Sequence, residues 1–530
     1  MPDDCSAYAH SSFFSPLIQD YLQEKEQIKP LYHRFPKLEN FKAQLEEKAA
    51  NYPAEFREIL ANTLKGQYRN ITITAQTSHN IELLRKGNTF TITTGHQLNI
   101  GTGPLYFIYK IISTINLCKQ LQEAYPDQHF VPVHWMATED HDLEEINHLY
   151  VKNKKVIWYK QGTGAVGRMQ VEGMEAVIAE IKQLLGNLPH TTELIALFEA
   201  AYQPQFTLAE ATRILANSLF GNYGLVIVDG DTQALKSLFT PYIQAELHTQ
   251  FSHTAVSATT NLMQGYKIQV NPREINLFYL DNNLRERIVL ENNRYKVMNT
   301  ALEFSGEEMQ QLAKNQSEKF SPNVLLRPLY QEVILPNLCY IGGGGEIAYW
   351  LELKSMFAHA KVTFPILLLR NSVVTASYKT REKWAKTLFS WEDLFLTPRE
   401  LTAEFLSKTT SKSIDFTPLK QQLEKQFEAL QAAAKTTHPS FLSMLKAQEV
   451  KQMKGLDALE KRLHKAQFKT HQETIDRILA IQNEVFPNQS LLERKTNFSD
   501  FYSEEGSDFI AQLSTHLNPL EMKFTSLFFD

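Results

Sequence analysis

Up to Arg370, short apolar or β-branched runs alternate with amphipathic stretches of helical period. Asn88–Thr94, Phe130–Ala137, Gly224–Asp229, Leu338–Ile341 and Pro365–Arg370 read as strands, several of them apolar on both faces as inner parallel strands are. Between the first two, Leu105, Ile108, Ile111, Ile112 and Ile115 recur at helical spacing behind Pro104, a residue suited to a first helical turn because no N–H is needed there. Leu208–Phe220 and Glu346–Ala360 carry similar helical patterns. This alternation predicts a doubly wound α/β core with a parallel sheet. Tyr266–Met298 differs: period-two stretches punctuated by Asn271-Pro-Arg and Asp281-Asn-Asn predict an inserted antiparallel meander.

The texture changes again near Thr397. Leu419, Leu423, Phe427 and Leu430, then Leu456, Leu459 and Leu463, follow coiled-coil spacing, and His438-Pro439 interrupts it, which predicts an antiparallel helical hairpin bent there. Aromatic residues return from Pro487 onward. The expected organisation is a core over 1–396, a helical arm over 397–486, and a tail over 487–530 that folds back onto the core.

At 530 residues the chain has room for about three folding units. Its 54 basic against 59 acidic side chains leave a net charge of −5, which excludes a mainly electrostatic nucleic-acid binder. The seven basic residues from Lys446 to Lys469 read as the solvated face of a coiled coil. Three scattered cysteines, Cys5, Cys118 and Cys339, match neither a disulfide framework nor a zinc site and point to a reducing, cytoplasmic compartment. The polar N-terminus does not resemble a secretory signal, and the most apolar runs are short or carry a lysine, so neither export nor a membrane span is expected.

Seven of the 21 glycines fall in two windows, Gly95–Gly103 and Gly342–Gly345, each between a strand-like and a helix-like run. In the first, the backbone of Gly95, Gly101 and Gly103 with His96, Asn99 and Thr102 would meet an anionic ligand at a helix N-terminus; the plainer alternative is a tight turn. Glu139-Asp140-His141-Asp142 ends the next strand. A carboxylate beside a histidine can set its tautomer and raise its basicity, as acid/base work on an amine requires, and an acidic helix start is the alternative.

In the second window Gly343, Gly344 and Glu346 repeat the loop-to-helix logic, with Tyr349 and Trp350 as an aromatic wall, and close packing is the alternative. Ser321 with Pro322 reads as a helix cap from which Arg327 reaches either an anion or a surface partner. Metal ligation by His141 and His148 matches no established spacing, so no metal is expected. Gly162-Thr-Gly-Ala-Val-Gly167 fits a dinucleotide pattern, but Arg168-Met-Gln-Val behind it reads as strand where a helix is required.

Four segments together, TGHQLNIGTGPLYFIYK, VPVHWMATEDHDLEEINH, SPNVLLRP with IGGGGEIAYW, and the late ERKTNF, resemble the bacillithiol biosynthesis cysteine-adding enzyme family. That resemblance implies a Rossmann-like core with inserted connecting segments and a coiled coil that pairs two copies into a homodimer. It also implies a ligase that joins the carboxyl of L-cysteine to the sugar amine of glucosaminyl malate. Forming an amide from a free carboxylate needs activation, so ATP is a candidate donor. No G-x-x-x-x-G-K-[ST] motif occurs, and Gly95-His-Gln is the nearest analogue of a HIGH signature. On this reading His96 and the Gly101–Gly103 backbone steady anionic groups, Asp140 or His141 takes the amine proton, and Glu346 and Tyr349 border the sugar or nucleotide. The alternatives are another nucleotide-dependent transferase on the same core and a non-catalytic nucleotide-binding scaffold that recruits partners through the coiled coil.

Overall fold

The computed structural model describes Tyr8 and residues 13–409, 415–435 and 438–529; Cys5 lies outside the described residues. In chain order the first strands are β1 (Thr89–His96), β2 (His129–Met136), β3 (His148–Val151), β4 (Lys154–Ile157) and β5 (Val226–Asp229). There follow β6 (Leu277–Asp281), β7 (Leu284–Glu291), β8 (Arg294–Val297), β9 (Glu303–Phe304), β10 (Phe320–Pro322), β11 (Asn337–Gly342) and β12 (Ile366–Leu369).

The apolar runs assemble as the sequence implies. β12, β11, β1, β2 and β5 lie side by side in that order, every neighbouring pair parallel. The first strand is central and the order runs outward from it both ways, so the switch point falls between β1 and β11, where open α/β sheets leave a crevice. Below the crevice, Phe90 and Ile92 of β1 pack with Leu338 and Ile341 of β11, Leu117 and Leu121 of the helix Tyr106–Ala124, and Phe41 of the helix Asn40–Asn51. Each such side chain contributes about 1.5–3 kcal/mol by leaving water. The threonines of β1 turn inward too: Thr93 donates to Asn337 at 2.8 Å and Thr94 to the Ile341 carbonyl at 2.7 Å, tying β1 to β11.

Some expectations are corrected. Pro104 precedes the helix Tyr106–Ala124 and pairs in a bridge with Asn497 instead of sitting in the first turn. Glu346–Ala360 forms two helices, Gly344–Leu351 and Lys354–Ala360, broken where the buried Glu352 carboxylate accepts from the backbone N–H groups of Gln269 and Val270. The meander becomes a five-stranded antiparallel sheet, β10-β6-β7-β8-β9, and extends beyond Met298 because Phe320–Pro322 returns to pair with β6. That pairing puts Ser321 in a strand; the helix Leu326–Ile334 is capped instead by Asn323, whose side chain accepts from the N–H groups of Leu325 and Leu326. Arg168 lies in a short 3₁₀ turn, not a strand.

The chain divides into two units. Met1–Val374 with Leu491–Leu527 forms one, and Thr375–Ser490 with Phe528–Asp530 the other. The junction precedes Thr397, where the sequence texture shifts, and Trp384, Trp391 and Leu401 of the second unit are buried. In this second unit the helices Thr417–Ala434 and Pro439–Thr470 run antiparallel: Lys420 meets Asp457 and Glu460, each at 2.7 Å, and Gln431 meets Glu449 at 3.1 Å. Phe427, Ala434 and Leu445 fill their seam, with Leu423 and Leu442 against it. Among the described residues no helix is long and apolar enough to cross a membrane.

Candidate functional site

Two adjoining cavities open at the carboxyl ends of the parallel strands, the first of about 620 Å³ and the second of about 530 Å³. Gln97, Trp135, Ala137, Gln269 and Arg327 line both, so the cavities are two lobes of one crevice.

The first lobe is lined by Gly95, His96, Tyr106, the Gly343–Glu346 turn, Tyr349, Arg370 and Arg494. Its floor is organised by Lys110, the lysine of an otherwise apolar helix face. Only 1% exposed, Lys110 donates to the Gly95 carbonyl and to both Glu346 oxygens, at 2.9 and 2.7 Å. Glu346 also accepts from the Tyr340 hydroxyl and the Gly343 N–H, both at 2.8 Å. Burial raises its carboxyl, but the Lys110 charge and the hydrogen bonds from Lys110, the Gly343 N–H and Tyr340 together outweigh burial and hold it below the usual range. Glu346 is therefore charged and fully engaged, and it anchors the loop instead of offering a free lone pair.

Three buried polar atoms around this lobe have no partner among the described residues: His96 Nε2, Trp350 Nε1 and Arg370 Nε. Burial pushes the His96 imidazole well below its ordinary range, with Lys110 adding to the effect, so the ring is neutral. Trp350 is not an open wall: it is 1% exposed and stacks on Tyr340 with ring centroids 4.4 Å apart. Arg370 pairs with Glu493 at 2.7 Å and lies over the Tyr106 ring at 5.2 Å. Together with the first-turn N–H groups of the helix Gly344–Leu351, which have no intrahelical acceptor, these donors suit an anionic group.

The second lobe brings the acidic end of β2 against the inserted sheet. Glu139 is bonded to Lys236 and accepts from Ser321 at 3.3 Å; burial raises its carboxyl while Lys236 opposes. Asp140 accepts from Gln97 at 3.2 Å. Burial pushes its pKa up, but the Arg327 and Arg285 charges with the hydrogen bonds from Gln97 and the His141 N–H together outweigh burial and keep it a carboxylate. Arg285 of β7 donates to His141 Nδ1 at 2.7 Å and lies over the Phe278 ring at 4.0 Å. Arg327 stands where the lobes meet.

The crevice thus gathers Gly95, His96, Glu139, Asp140, His141, Arg327, Gly343, Gly344, Glu346, Tyr349 and Trp350 from distant segments. Asn99, Gly101, Thr102, Gly103 and Asp142 line neither lobe. The Gly101 N–H donates to the Tyr202 hydroxyl at 2.7 Å, and Asn497 holds the carbonyls of Gly101 and Gly103 at 2.7 and 2.5 Å, so this turn is a packed junction. Gly103 has φ +68°, and a Cβ there would sit 2.7 Å from that of Asn99. Asp142 caps the helix Leu143–Ile146 by accepting from the Glu145 N–H at 3.3 Å.

Sequence reasoning did not single out Gln97, Lys110, Arg285, Arg370 or Arg494 as site residues. A signal existed for two of them: Lys110 interrupts an apolar helix face, and Arg370 ends an apolar strand. Arg285 offered none, because the inserted sheet brings it to the crevice from outside the parallel core.

A family model described as bacillithiol biosynthesis BshC, N-terminal Rossmann-like domain, matches residues 1–371, and one described as its C-terminal coiled-coil domain matches residues 373–529. Among curated proteins, one from Flavobacterium johnsoniae is 53% identical over 99% of both chains. One from Christiangramia forsetii is 48% identical over 100% of this chain and 99% of its own. A third, from Bacillus mycoides, is 29% identical over 93% and 94%. All three carry the name "Putative cysteine ligase BshC".

Proposed function

The chain belongs to the BshC family of bacillithiol biosynthesis, and from that premise we propose that it is a ligase joining the carboxyl of L-cysteine to the amine of glucosaminyl malate. The observation that carries this reading is the position of Arg327. It stands between a lobe rich in donors and a lobe that holds the Asp140 carboxylate, so a substrate with carboxylates at one end and an amine at the other fits across it.

In this reading the malyl carboxylates lie in the first lobe, against Arg327, Arg370 and the turn at Gly343. The sugar amine lies near Asp140. The cysteine carboxyl reaches the amine after activation, and ATP is the candidate donor. Asp140, held anionic, draws the cationic amine in and takes one of its protons, which frees the nitrogen lone pair for attack. As the C–N bond forms, the acyl C–O bond of the activated carboxyl breaks, the phosphate or nucleotide leaves with the bonding pair, and the second proton on nitrogen passes to that leaving group or to solvent. Neutral His96 offers a hydrogen bond without adding charge.

Pairing of two copies through the helical hairpin is part of the same proposal. Leu419, Leu430, Leu459 and Leu463 follow the coiled-coil pattern yet stay about half exposed, at 49, 50, 56 and 47%. A cytoplasmic setting agrees with Cys118 and Cys339 being unpaired thiols.

The test is to incubate the protein with L-cysteine and glucosaminyl malate, with and without ATP, and search for the condensed thiol by mass spectrometry. Formation of the amide supports the reading, and its absence under every nucleotide condition rejects it.

A further inference from the structure

We infer that Arg285 is a positioning residue that holds His141 as a hydrogen-bond donor in the second lobe. A guanidinium has five N–H groups and no acceptor. The 2.7 Å contact between an Arg285 terminal nitrogen and His141 Nδ1 therefore requires a lone pair on Nδ1. In a neutral imidazole the proton then sits on Nε2. A proton on Nδ1 would set one N–H donor against another.

Arg285 is itself immobilised. Its Nε donates to Ser321 Oγ at 3.0 Å, a terminal nitrogen reaches the Pro322 carbonyl at 3.4 Å, and its plane lies over Phe278 at 4.0 Å. The Ser321 hydroxyl in turn donates to the Glu139 carboxylate at 3.3 Å, so the inserted sheet and the end of β2 are bonded through the same group. The Phe278 ring also lies 5.6 Å from the imidazole, which confines both partners of the contact.

The consequence concerns the division of labour. With Nδ1 occupied and Nε2 already protonated, His141 does not accept the amine proton; it donates from Nε2 to negative charge on the reacting acyl or phosphoryl oxygen. Proton acceptance falls to Asp140. The inserted sheet therefore does more than cover the crevice, because it sets the tautomer of a residue on the parallel core. The chemical role rests on the ligase reading above, whereas the tautomer does not.

The test begins with nitrogen NMR of the full chain carrying ¹⁵N-histidine, the His141 signals being assigned by their loss in His141→Gln. The expected result is a single Nε2–H tautomer in the native protein and a mixed or inverted one in Arg285→Gln. A native Nδ1–H tautomer, or a pattern unchanged by Arg285→Gln, overturns the inference. Arg285→Met, which has no N–H to donate, replaces that variant if circular dichroism shows Arg285→Gln unfolded, with the same criteria. Turnover adds a second arm. Loss of one donor costs about 10²-fold in kcat, so His141→Ala falls by that amount and His141→Gln, which restores an N–H near the Nε2 position, regains about tenfold. Equal loss in both variants overturns the donor role. A native protein that makes no amide would defeat the ligase reading while leaving the tautomer result standing.

Discussion

Asn497 donates from one side-chain nitrogen to the carbonyls of both Gly101 and Gly103, at 2.7 and 2.5 Å, although 396 and 394 residues separate it from them along the chain. The ERKTNF segment thus secures the glycine turn from behind. The contact is fully buried. Asn497→Ala leaves two carbonyls unpaired and is expected to cost about 2–4 kcal/mol, read from the shift of the urea midpoint. Asn497→Asp, which loses the donor but keeps the shape, should be no better.

Lys110 and Glu346 form a second pairing, the lysine buried and the carboxylate 28% exposed. Lys110→Met strands that partly exposed carboxylate and should cost about 1–3 kcal/mol. Adding Glu346→Gln removes the stranded charge and should recover a large part of that loss in the same unfolding measurement. If the two changes add without recovery, the pair is not the organising contact of the first lobe.

Both lessons bear on what the sequence could reveal. β1, β2 and β11 were legible because β-branched runs and their glycine ends are local signals, and Leu208–Phe220 forms a helix over the very span its pattern implies. The convergence of His96, Asp140 and Glu346 at one crevice followed from the rule that parallel strands present ligands at one end. What was not legible depended on long-range partners. Gly101 and Gly103 looked like a phosphate cradle because Asn497 and Tyr202, which fill their hydrogen bonds, lie far along the chain. Ser321 looked like a cap because its pairing with Phe278 is a tertiary event. Arg285 carried no mark at all until the inserted sheet placed it against His141.

Asp500 gives a pH signature. It accepts from the Lys152 N–H through both oxygens, at 2.9 and 3.0 Å, and burial pushes its carboxyl up to about 6. A raised folded-state value means that the folded chain holds this proton more tightly than the unfolded one, so stability from this group is greatest in acid. It falls between about pH 4 and pH 6 as the buried group ionises, by at most about 3 kcal/mol. Asp500→Asn should flatten that part of the stability profile, measured by thermal unfolding across the range.

His134 has the opposite sign. Buried beside Phe107, with no partner for Nε2 among the described residues, it is pushed down to about 3 by burial, with Lys110 contributing. Its neutral form is favoured in the folded state, so stability is lost as pH falls from about 6.5 toward 3. His134→Gln should weaken that acid-side loss in the same measurements.

Cys118 and Cys339 lie in one apolar cluster, and burial pushes both thiols well above their usual range. In a Cys5→Ser background, a thiol reagent should label neither in the native protein and both after unfolding. Rapid labelling without unfolding would contradict their burial.

The most direct measurement is a crystal structure of the protein with glucosaminyl malate. Malyl carboxylates within hydrogen-bonding distance of Arg327 or Arg370, and the sugar amine beside Asp140, are the expected result. Ordered ligand density outside both lobes, with the crevice holding only solvent, would contradict it.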